Sequence, residues 1–405
     1  MSELSPGLIL IIGAVLVPIL RGRARSIFML ALPILAFALT LSLPQGIHGQ
    51  FDLFDMTLTT VRVDGFSLIF AYAFLLASLI AIIYALHVDD TLQQIASLIY
   101  AGSAISAVFA GDLLTLFVFW EGTTIGSVIL IFAARTRRSY GAGMRYLVVQ
   151  IVSGVLLLAG AALHYVETGS LAFGHIGIST TAGVLIFIAF GIKCAFPLLH
   201  NWVEDSYPEA TVTGAVFLSV FSTKLAVYAL ARGYPGTEVL VPIGATMAVF
   251  PILFAVVEND LRRVLAYSLI SQLGFMVVGV GIGTELSLNG TVAHAFCSVV
   301  YTALLFMAMG AVLFRAGTVN GSELGGLFRT MPWTAGLCIV GSASIAAFPL
   351  TSGFVSKSMI VSGALKEYYF WAWLALLIGN IGVFHSTAIK VPYLAFFAKD
   401  SGKRP

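Results

Sequence analysis

The sequence predicts an all-α membrane protein whose chain crosses the bilayer about thirteen times. Only 10% of its 405 residues are Asp, Glu, Lys or Arg, and 59% are hydrophobic. A soluble domain carries about 25% charged residues, so this chain has too few to cover a surface that faces water. Long apolar stretches also recur from end to end, as at 8–20, 66–86, 148–163 and 371–381. Both observations indicate a polytopic membrane protein.

Polar residues, Gly and Pro divide the chain into apolar segments of about the 20 residues that a bilayer requires. The predicted spans are 6–20, 26–43, 65–87, 92–110, 112–134, 141–164, 181–201, 209–231, 239–257, 264–282, 290–314, 332–365 and 370–397. The stretch 51–63 partly alternates apolar and polar residues, which favours an external strand or hairpin. The expected parts are 1–91 with spans one to three, 92–232 with spans four to eight, 238–398 with spans nine to thirteen, and a basic tail at 399–405.

Basic residues in short loops predict the orientation of the chain. Clusters of Lys and Arg follow odd-numbered spans, at 21–25, 135–138, 262–263, 315–329 and 399–404. The loops after spans two, six and ten carry only Arg62 between them. Because cytoplasmic loops are enriched in Lys and Arg, the N-terminus is predicted to lie outside. The net charge is only +2 and the basic residues are scattered over short loops, so nothing indicates a nucleic-acid partner.

The three cysteines, Cys194, Cys297 and Cys338, lie far apart in apolar stretches. None belongs to a CxxC motif or to a spacing typical of metal ligands. We therefore expect no disulfide, no iron–sulfur cluster and no structural metal.

Ionisable side chains lie inside several predicted spans. A charge at the bilayer centre costs from about 3 to more than 10 kcal/mol, so such residues normally face a bundle interior or a wet cavity. The chain places them in spans five, seven, eight, eleven, twelve and thirteen, as Glu121, Lys193, Lys224, His294, Lys357, His385 and Lys390. A series of carboxylate, amine and imidazole groups is suited to proton relay.

Each of these residues also has a structural interpretation. Glu121 would neutralise one lysine in a buried pair, Lys193 and Lys357 would cap broken helices, and His294 would be a hydrogen-bonded core histidine. Lys390 lies near the cytoplasmic end of its span, where snorkelling accounts for it. Only the whole set favours a relay over these separate explanations.

Two of the lysine-containing spans are interrupted by proline or glycine. Span seven reads GIKCAFPLLHNW with Pro197, and span twelve reads AFPLTSGFVSK with Pro349 and Gly353. Proline removes a backbone donor, and the freed carbonyls are tolerated at membrane depth where they line water or polar protein. Spans seven and twelve are an odd number of crossings apart. A repeat of spans four to eight in nine to thirteen would therefore be inverted, as in many transporters.

Five stretches of the chain resemble the antiporter-like subunits shared by Mrp-type multisubunit cation/proton antiporters and respiratory complex I. They are FWEGTTIGSVIL (119–130), GIKCAFPLLHNWVEDSYPEATVTGAVFLSVFSTKLAVYAL (191–230), ENDLRRVLAYSLISQLGF (258–275), HAFCSVVYTALLFMAMG (294–310) and FPLTSGFVSKSMI (348–360). The resemblance covers residues 65–400 in the same order. Within the family the chain is most similar to the D subunit of Mrp-type antiporters.

The resemblance implies a hydrated proton relay along the bilayer midplane. Glu121 matches the glutamate of the fifth helix, and Lys193 matches its partner in the broken seventh helix. Lys224 matches the lysine that passes protons toward the centre. His294 matches the first histidine of the central relay, and Lys357 the lysine of the broken twelfth helix on the exit side.

The resemblance also implies the surroundings of the chain. We expect other membrane subunits of a hetero-oligomeric complex and the lipid bilayer as partners, with H⁺ and Na⁺ or another monovalent cation as transported ions. We expect no cofactor bound by this chain and a location in a bacterial inner membrane.

The chain departs from the family pattern at two places. The eleventh helix of the family usually has a second histidine and a lysine, where this chain has Ser298 and Thr302. Neither hydroxyl holds a net charge, so we expect a weakened central proton site. Family members usually continue with one more helix beyond the position of FFAKDSGKRP, so we expect that helix to be missing.

Several functions are consistent with these residues. The first is a subunit of a cation/proton antiporter, and the second is a proton-pumping subunit of a quinone oxidoreductase or hydrogenase whose partner chains handle electrons. The third is a scaffold that has lost transport, which Ser298 and Thr302 favour. A hydrolase built on His200, Glu204 and Asp205 is the weakest, because no nucleophile motif such as GxSxG accompanies them. Those three residues are better assigned to the cytoplasmic mouth of the proton path.

Overall fold

The computed structural model describes residues 4–54 and 56–403. The chain is mostly helical in this part, with one two-stranded hairpin. Its contacts form two compact units, Met1–Cys194 with Phe221–Tyr234 and Ala195–Val220 with Pro235–Pro405. The two units follow from contacts between residues, whereas the parts predicted from the sequence follow from a repeat of spans. The two divisions are therefore different, and the boundaries of the predicted parts stay a prediction.

The first unit holds the hairpin and the helices that precede residue 194, together with one later helix. These elements are α1 (Gly7–Leu16), α2 (Gly22–Ser42), β1 (Gly46–Leu53), β2 (Met56–Val63), α3 (Gly65–Ala85), α4 (Thr91–Phe109), α5 (Leu113–Phe132), α6 (Arg137–Thr168), α7 (Thr181–Lys193) and α10 (Ser222–Gly233).

The second unit holds the remaining helices. They are α8 (Asn201–Ser206), α9 (Val212–Val220), α11 (Leu240–Val257), α12 (Leu261–Ile282), α13 (Glu285–Ala316), α14 (Pro332–Ile345), α15 (Ser352–Lys366), α16 (Phe370–Val383) and α17 (Lys390–Pro392). Short 3₁₀ turns lie at Gly321–Glu323 and Leu327–Arg329, and π turns at Phe384–Ile389 and Tyr393–Phe397.

Ten helical segments of the described residues are long and apolar enough to cross a bilayer. This confirms the prediction of a multi-span membrane protein. Large apolar side chains such as Val155, Leu253 and Trp333 are exposed on the helices, as contact with lipid requires. Three shorter apolar helices, α1, α7 and α14, coincide with predicted spans one, seven and twelve. The count of thirteen crossings stays a prediction.

The alternating stretch after span two forms a hairpin, as predicted. β1 and β2 pair antiparallel, and three residues of β2, Leu58, Val61 and Val63, are buried. The Thr59 amide donates to Asp112 Oδ2 at 2.8 Å, which fixes the hairpin to the start of α5. Its position outside the membrane stays a prediction.

Asp64 joins the hairpin to α3 and α10 in the first unit. Its carboxylate caps α3 by accepting from the Ser67 amide, and it accepts from Arg232 Nη2 at 2.9 Å. Arg62 Nε lies 3.7 Å from the same carboxylate. Burial alone would raise the pKa of the Asp64 carboxyl, but the hydrogen bond and charge of Arg232 outweigh burial and hold that pKa below its usual range.

Asp64→Asn is expected to lower the thermal unfolding midpoint at pH 7 by about 2 °C, because it weakens a partly exposed charged contact worth about 1 kcal/mol. The pKa of Asp64 is lowered on folding, so its contribution is complete above about pH 4 and is lost as the pH falls through the folded pKa. The difference from wild type should therefore shrink in acid. Asp89→Asn is the control, since this carboxylate is 93% exposed. An equal loss in both variants would contradict the prediction.

Both predicted helix breaks are present. α7 ends at Lys193 and helix resumes at Asn201, and α14 ends at Ile345 and resumes at Ser352. Each break contains the sequence Ala-Phe-Pro-Leu, at 195–198 and 347–350, with φ of 63° and 69° at Ala and Leu of the first, and 56° and 72° in the second. Non-glycine residues rarely adopt such angles, so the same strained turn is built twice. This shared tetrapeptide is a sign of the repeat that the sequence-based prediction overlooked.

Gly353 was predicted to belong to the second break, and this prediction is wrong. The residue lies in the first turn of α15. A Cβ at this position would be 1.9 Å from the carbonyl oxygen of Ser344. Gly353, after the break, lies so close to Ser344, before the break, that only glycine fits at this position. Pro349 lies in the break itself.

Close packing of α11 on α12 supports the second unit. A Cβ on Gly244 would lie 2.7 Å from the Gly274 carbonyl oxygen, so the two backbones are in contact. A buried apolar cluster surrounds this crossing and includes Val241, Ala245, Phe275, Val278, Ile360 and Leu376. The cluster orients Phe275, whose ring lies against the ammonium of Lys357.

Candidate functional site

Lys193 is the last residue of α7 and is completely buried. Its Nζ donates to the Trp120 carbonyl oxygen at 2.9 Å and to Thr123 Oγ1 at 2.8 Å, and it lies 4.4 Å from the centroid of the Trp120 ring. A helix C-terminus favours a cation, and a desolvated ammonium over an indole gains further attraction. One turn of α5 therefore holds the ammonium through neutral groups.

Glu121 follows Trp120 on α5, and it lies within electrostatic range of Lys193. In the described part of the chain Lys193 donates to backbone and hydroxyl oxygens of α5, and Glu121 Oε1 is buried without a hydrogen-bond partner. That oxygen packs on Gly154 of α6, where a Cβ would lie 1.9 Å away. The pair implied by the resemblance is thus an electrostatic pair whose carboxylate keeps a free acceptor.

Gly154→Ala is expected to displace the Glu121 carboxylate. In the proton relay that the resemblance implies, it should lower proton flux about tenfold or more, since small misplacements of a reacting group are costly. The complex implied by the resemblance should still assemble, because the carboxylate is the flexible end of its side chain. Flux in vesicles and copurification of the partner subunits are the measurements. Gly141→Ala on the same helix is the control, because its Cβ would meet only the Arg145 side chain, at 3.6 Å. Equal flux in both variants would contradict this placement of Glu121.

Lys224 lies in α10 and is completely buried, with Cys194 within electrostatic range. The helix of span eight is interrupted at Phe221, one turn before this lysine. Immediately after the interruption, the Ser222 amide donates to the Tyr100 hydroxyl at 3.1 Å. A hydroxyl entering the backbone ladder is a known cause of such an interruption. No proline or glycine marks this position, so the interruption could not be predicted from the sequence.

Lys357 is the corresponding buried lysine of the second unit, on α15. Its Nζ donates to the Ile345 carbonyl oxygen at 2.6 Å and to Asn380 Oδ1 at 2.8 Å, and it lies 4.6 Å from the centroid of the Phe275 ring. Ile345 is the last residue of α14, so the ammonium satisfies a carbonyl at the helix break. Like Lys193, it rests on neutral oxygens and an aromatic face.

His294 is completely buried on α13, and its ring has a partner on each side. Nδ1 lies 2.9 Å from Ser356 Oγ, and Nε2 lies 3.3 Å from the Tyr301 hydroxyl, which donates to Gln272 Oε1. Ser356 is the residue before Lys357, so His294 contacts α15, the helix that carries Lys357. This is consistent with either a core histidine or a relay.

Ser298 and Thr302 lie on the same buried face of α13. The Thr302 hydroxyl has no hydrogen-bond partner within residues 4–54 and 56–403. A buried hydroxyl without a protein partner is usually satisfied by water, which can itself carry a proton. The effect of these two substitutions on transport stays a prediction.

The remaining predicted residues lie elsewhere in the second unit. His200 Nε2 is 3.9 Å from Glu204 Oε1, and His200 lines a small cavity with Pro197. Asp205 is only half-buried. Lys390 donates to the carbonyl oxygens of Ala255, Val256 and Glu258 at the end of α11, which are the contacts of a helix cap. His385 is exposed in the first π turn.

Sequence reasoning missed the neutral partners of both lysines. Trp120 and Thr123 hold Lys193, and Asn380 and Ser356 connect Lys357 and His294 to their neighbours. Asn380 could have been found, since it is an amide in an apolar span. The serine and threonine could not, because small hydroxyl residues are common in membrane helices.

Comparison with known proteins identifies relatives of the chain. Residues 110–382 match the family described as NADH:quinone oxidoreductase/Mrp antiporter, TM. The D subunit of the Na(+)/H(+) antiporter of Alkalihalophilus pseudofirmus is 31% identical over 314 residues, which is 72% of this chain and 63% of the relative. The N subunit of the NADH-quinone oxidoreductase of Desulforudis audaxviator is 32% identical over 289 residues, 66% of this chain and 57% of the relative. The chain therefore spans less than two thirds of either relative.

Two solved structures share the fold. The Mrp complex from Dietzia sp. DQ12-45-1b contains a chain that superposes with a TM-score of 0.87 at 24% identity, covering 98% of this chain and 80% of that one. Respiratory complex I from Thermus thermophilus with bound aureothin gives 0.85 at 23% identity, covering 100% and 91%. At this identity the likeness establishes the fold.

Proposed function

Since the chain belongs to the NADH:quinone oxidoreductase/Mrp antiporter transmembrane family, we propose that it is a proton-carrying membrane subunit of a multisubunit cation/proton antiporter. One observation carries the proposal. In each unit the ammonium of a buried lysine is held by neutral oxygens and an aromatic ring. Lys193 is the last residue before one helix break, and Lys357 donates to Ile345, the last residue of the helix before the other. Because each ammonium donates to neutral groups, the lysine can release its proton without leaving a hydrogen-bonded carboxylate that has lost its donor. A proton carrier must be able to release its proton in this way.

The proposed path uses Glu121, Lys193 and Lys224 in the first unit, and His294 and Lys357 in the second. The order of these groups comes from the resemblance to the family. His200, Glu204 and Asp205 form the proposed cytoplasmic mouth, and Ser298 and Thr302 orient water in the centre. The capping contacts of Lys390 favour a structural role for that residue.

The proposed setting is a bacterial inner membrane with the N-terminus outside, where basic loops after odd-numbered spans face the cytoplasm. Other membrane subunits are the proposed partners, and Na⁺ is the proposed counter-ion because a relative carries Na⁺ in its name.

We propose that this chain binds no cofactor of its own. The described residues contain no group of three or more His, Cys, Asp or Glu arranged to hold a metal.

A second candidate function is proton pumping within a respiratory complex. It is favoured by the 32% identity to the N subunit of an NADH-quinone oxidoreductase, which is as high as that to the antiporter subunit. In that case electrons would move in partner chains and this chain would only carry protons. The same buried groups would carry protons in either complex.

Reconstitution of the native complex in vesicles separates the two candidates. Purified complex is expected to move protons when a Na⁺ or K⁺ gradient is imposed, and to contain no flavin or iron–sulfur subunit. Proton movement that requires a quinone and an electron donor would instead support the second candidate. A complex that moves no protons under either condition would contradict both.

A further inference from the structure

Helix α6 presents a stripe of polar and small residues to the interior of the first unit. Tyr146, Gln150, Ser153 and Gly154 are spaced by three and four residues, so they share one face, and all are buried. Val155 on the opposite side is 60% exposed. The stripe was not among the predicted site residues.

The same stripe exists in the second unit at matching positions. Asp112 and Asp260 each cap a helix and form an isolated β-bridge, to Ala172 and Asn320. The interval along the chain between the two caps equals that between the two bridge partners. It also equals the interval between the first residues of α6 and α13, which are both 32 residues long.

This common interval assigns a counterpart to each residue of the stripe. Tyr146 takes the position of His294, and Gln150 takes the position of Ser298. One face of α13 carries His294, the histidine of the candidate relay. On the corresponding face of α6, the first unit has Tyr146 and Gln150 instead.

Gln150 is completely buried, and neither its Nε2 nor its Oε1 has a hydrogen-bond partner among the described residues. An unsatisfied buried amide costs about 1–3 kcal/mol, so native proteins satisfy such groups with ordered water when the protein does not. Within the same described part of the chain, Glu121 Oε1 also lacks a partner, and it packs on Gly154, one helical turn from Gln150. An unsatisfied carboxylate oxygen of α5 and an unsatisfied amide of α6 thus lie at adjacent turns of α6, where they form a polar site for water.

Hydroxyl groups continue from this site toward Lys224. The Tyr146 hydroxyl donates to Ser127 Oγ at 2.7 Å and is within interaction range of both Glu121 and Ser222. Ser222 stands two residues before Lys224, and its Oγ lies 2.8 Å from the Tyr100 hydroxyl. Gln150 therefore stands where a water would join the carboxylate to the hydroxyls that reach α10.

We infer that Gln150 is a positioning residue that holds water between Glu121 and the Tyr146–Ser222 hydroxyls, on a path from Glu121 to Lys224 that needs both this water and Lys193. The water accepts one proton from the Glu121 carboxyl and passes one of its own toward Lys224, so it is regenerated and one proton moves. The inference rests on the proposed function.

Gln150→Leu in the native complex tests this inference, because leucine fills most of the side-chain volume and holds no water. Proton flux should fall about tenfold or more. The infrared carboxyl band of Glu121, identified by its loss in Glu121→Gln, should shift to the frequency of a carboxyl without a hydrogen bond. Gln150→Ser, which copies the counterpart Ser298, should keep most of the flux and the wild-type band. Val155→Ala is the control on the exposed face.

A Gln150→Leu complex with wild-type flux and an unshifted band, while Glu121→Gln has no flux, would overturn the inference and leave the proposed function standing. Undiminished flux in Glu121→Gln would instead contradict the proposed function itself. Should Gln150→Leu not assemble, Gln150→Ser decides alone. In that variant, loss of flux as complete as in Glu121→Gln would overturn the inference, since serine can bind the water.

Discussion

Lys193→Met is expected to reduce proton flux through the native complex to the level of vesicles without protein, a loss of about a hundredfold or more. Methionine keeps the unbranched shape and most of the length of the side chain but carries no exchangeable proton. The groups of α5 that hold the ammonium, the Trp120 carbonyl and the hydroxyls of Thr123 and Thr124, remain in place, so the complex should still copurify with its partner subunits. Flux is measured with a pH-sensitive dye inside the vesicles, and subunit content by gel.

Lys193→Arg separates the charge of this residue from its proton. A guanidinium keeps the positive charge beside Glu121 but does not lose its proton in a protein. We therefore expect flux to be lost in this variant as well. Retained flux with arginine would show that the position supplies only a charge for a structural pair.

Lys357→Met in the second unit is expected to abolish flux to the same degree. The ammonium satisfies the Ile345 carbonyl at the break and Asn380 Oδ1, so its removal also leaves two acceptors without a donor. Removing one buried partner in this way costs about 1–3 kcal/mol, or about 2–6 °C in the melting temperature of a large membrane unit. Flux and thermal unfolding are measured on the same preparation.

Lys366→Met provides a matched control, because this lysine lies on the same helix, α15, and is exposed. It should change neither flux nor the melting temperature. Flux that survives in Lys357→Met as well as in Lys366→Met would remove Lys357 from the proposed path.

The buried charges were predictable because a membrane makes them costly. Lys193 and Lys357 stand out in apolar runs, and Pro197 and Pro349 mark the breaks, so elementary energetics identifies these positions without a structure. The β-hairpin was predictable because apolar and polar residues partly alternate in that stretch, which is typical of a strand, although the buried residues of β2 do not all lie on one face.

The partners of these charges were not predictable, since they depend on which helix faces which. Gly154 admits the Glu121 carboxylate, and Tyr100 interrupts the helix of Lys224 from a distant part of the sequence. Gln150 was missed because one amide in a helix of 32 residues has no periodic or motif signature. Gly353 was assigned to the break itself, although it lies in the first turn of α15, because glycine serves both as a helix breaker and as a site of close approach.

The most direct test of the proton path is flux through vesicles that hold the whole complex, with and without Na⁺, compared between wild type, Glu121→Ala and Lys224→Ala. Wild type should exchange H⁺ for the cation, and both variants should fall to the level of protein-free vesicles while their complexes remain assembled. Unchanged flux in both variants would contradict the role assigned to the buried charges.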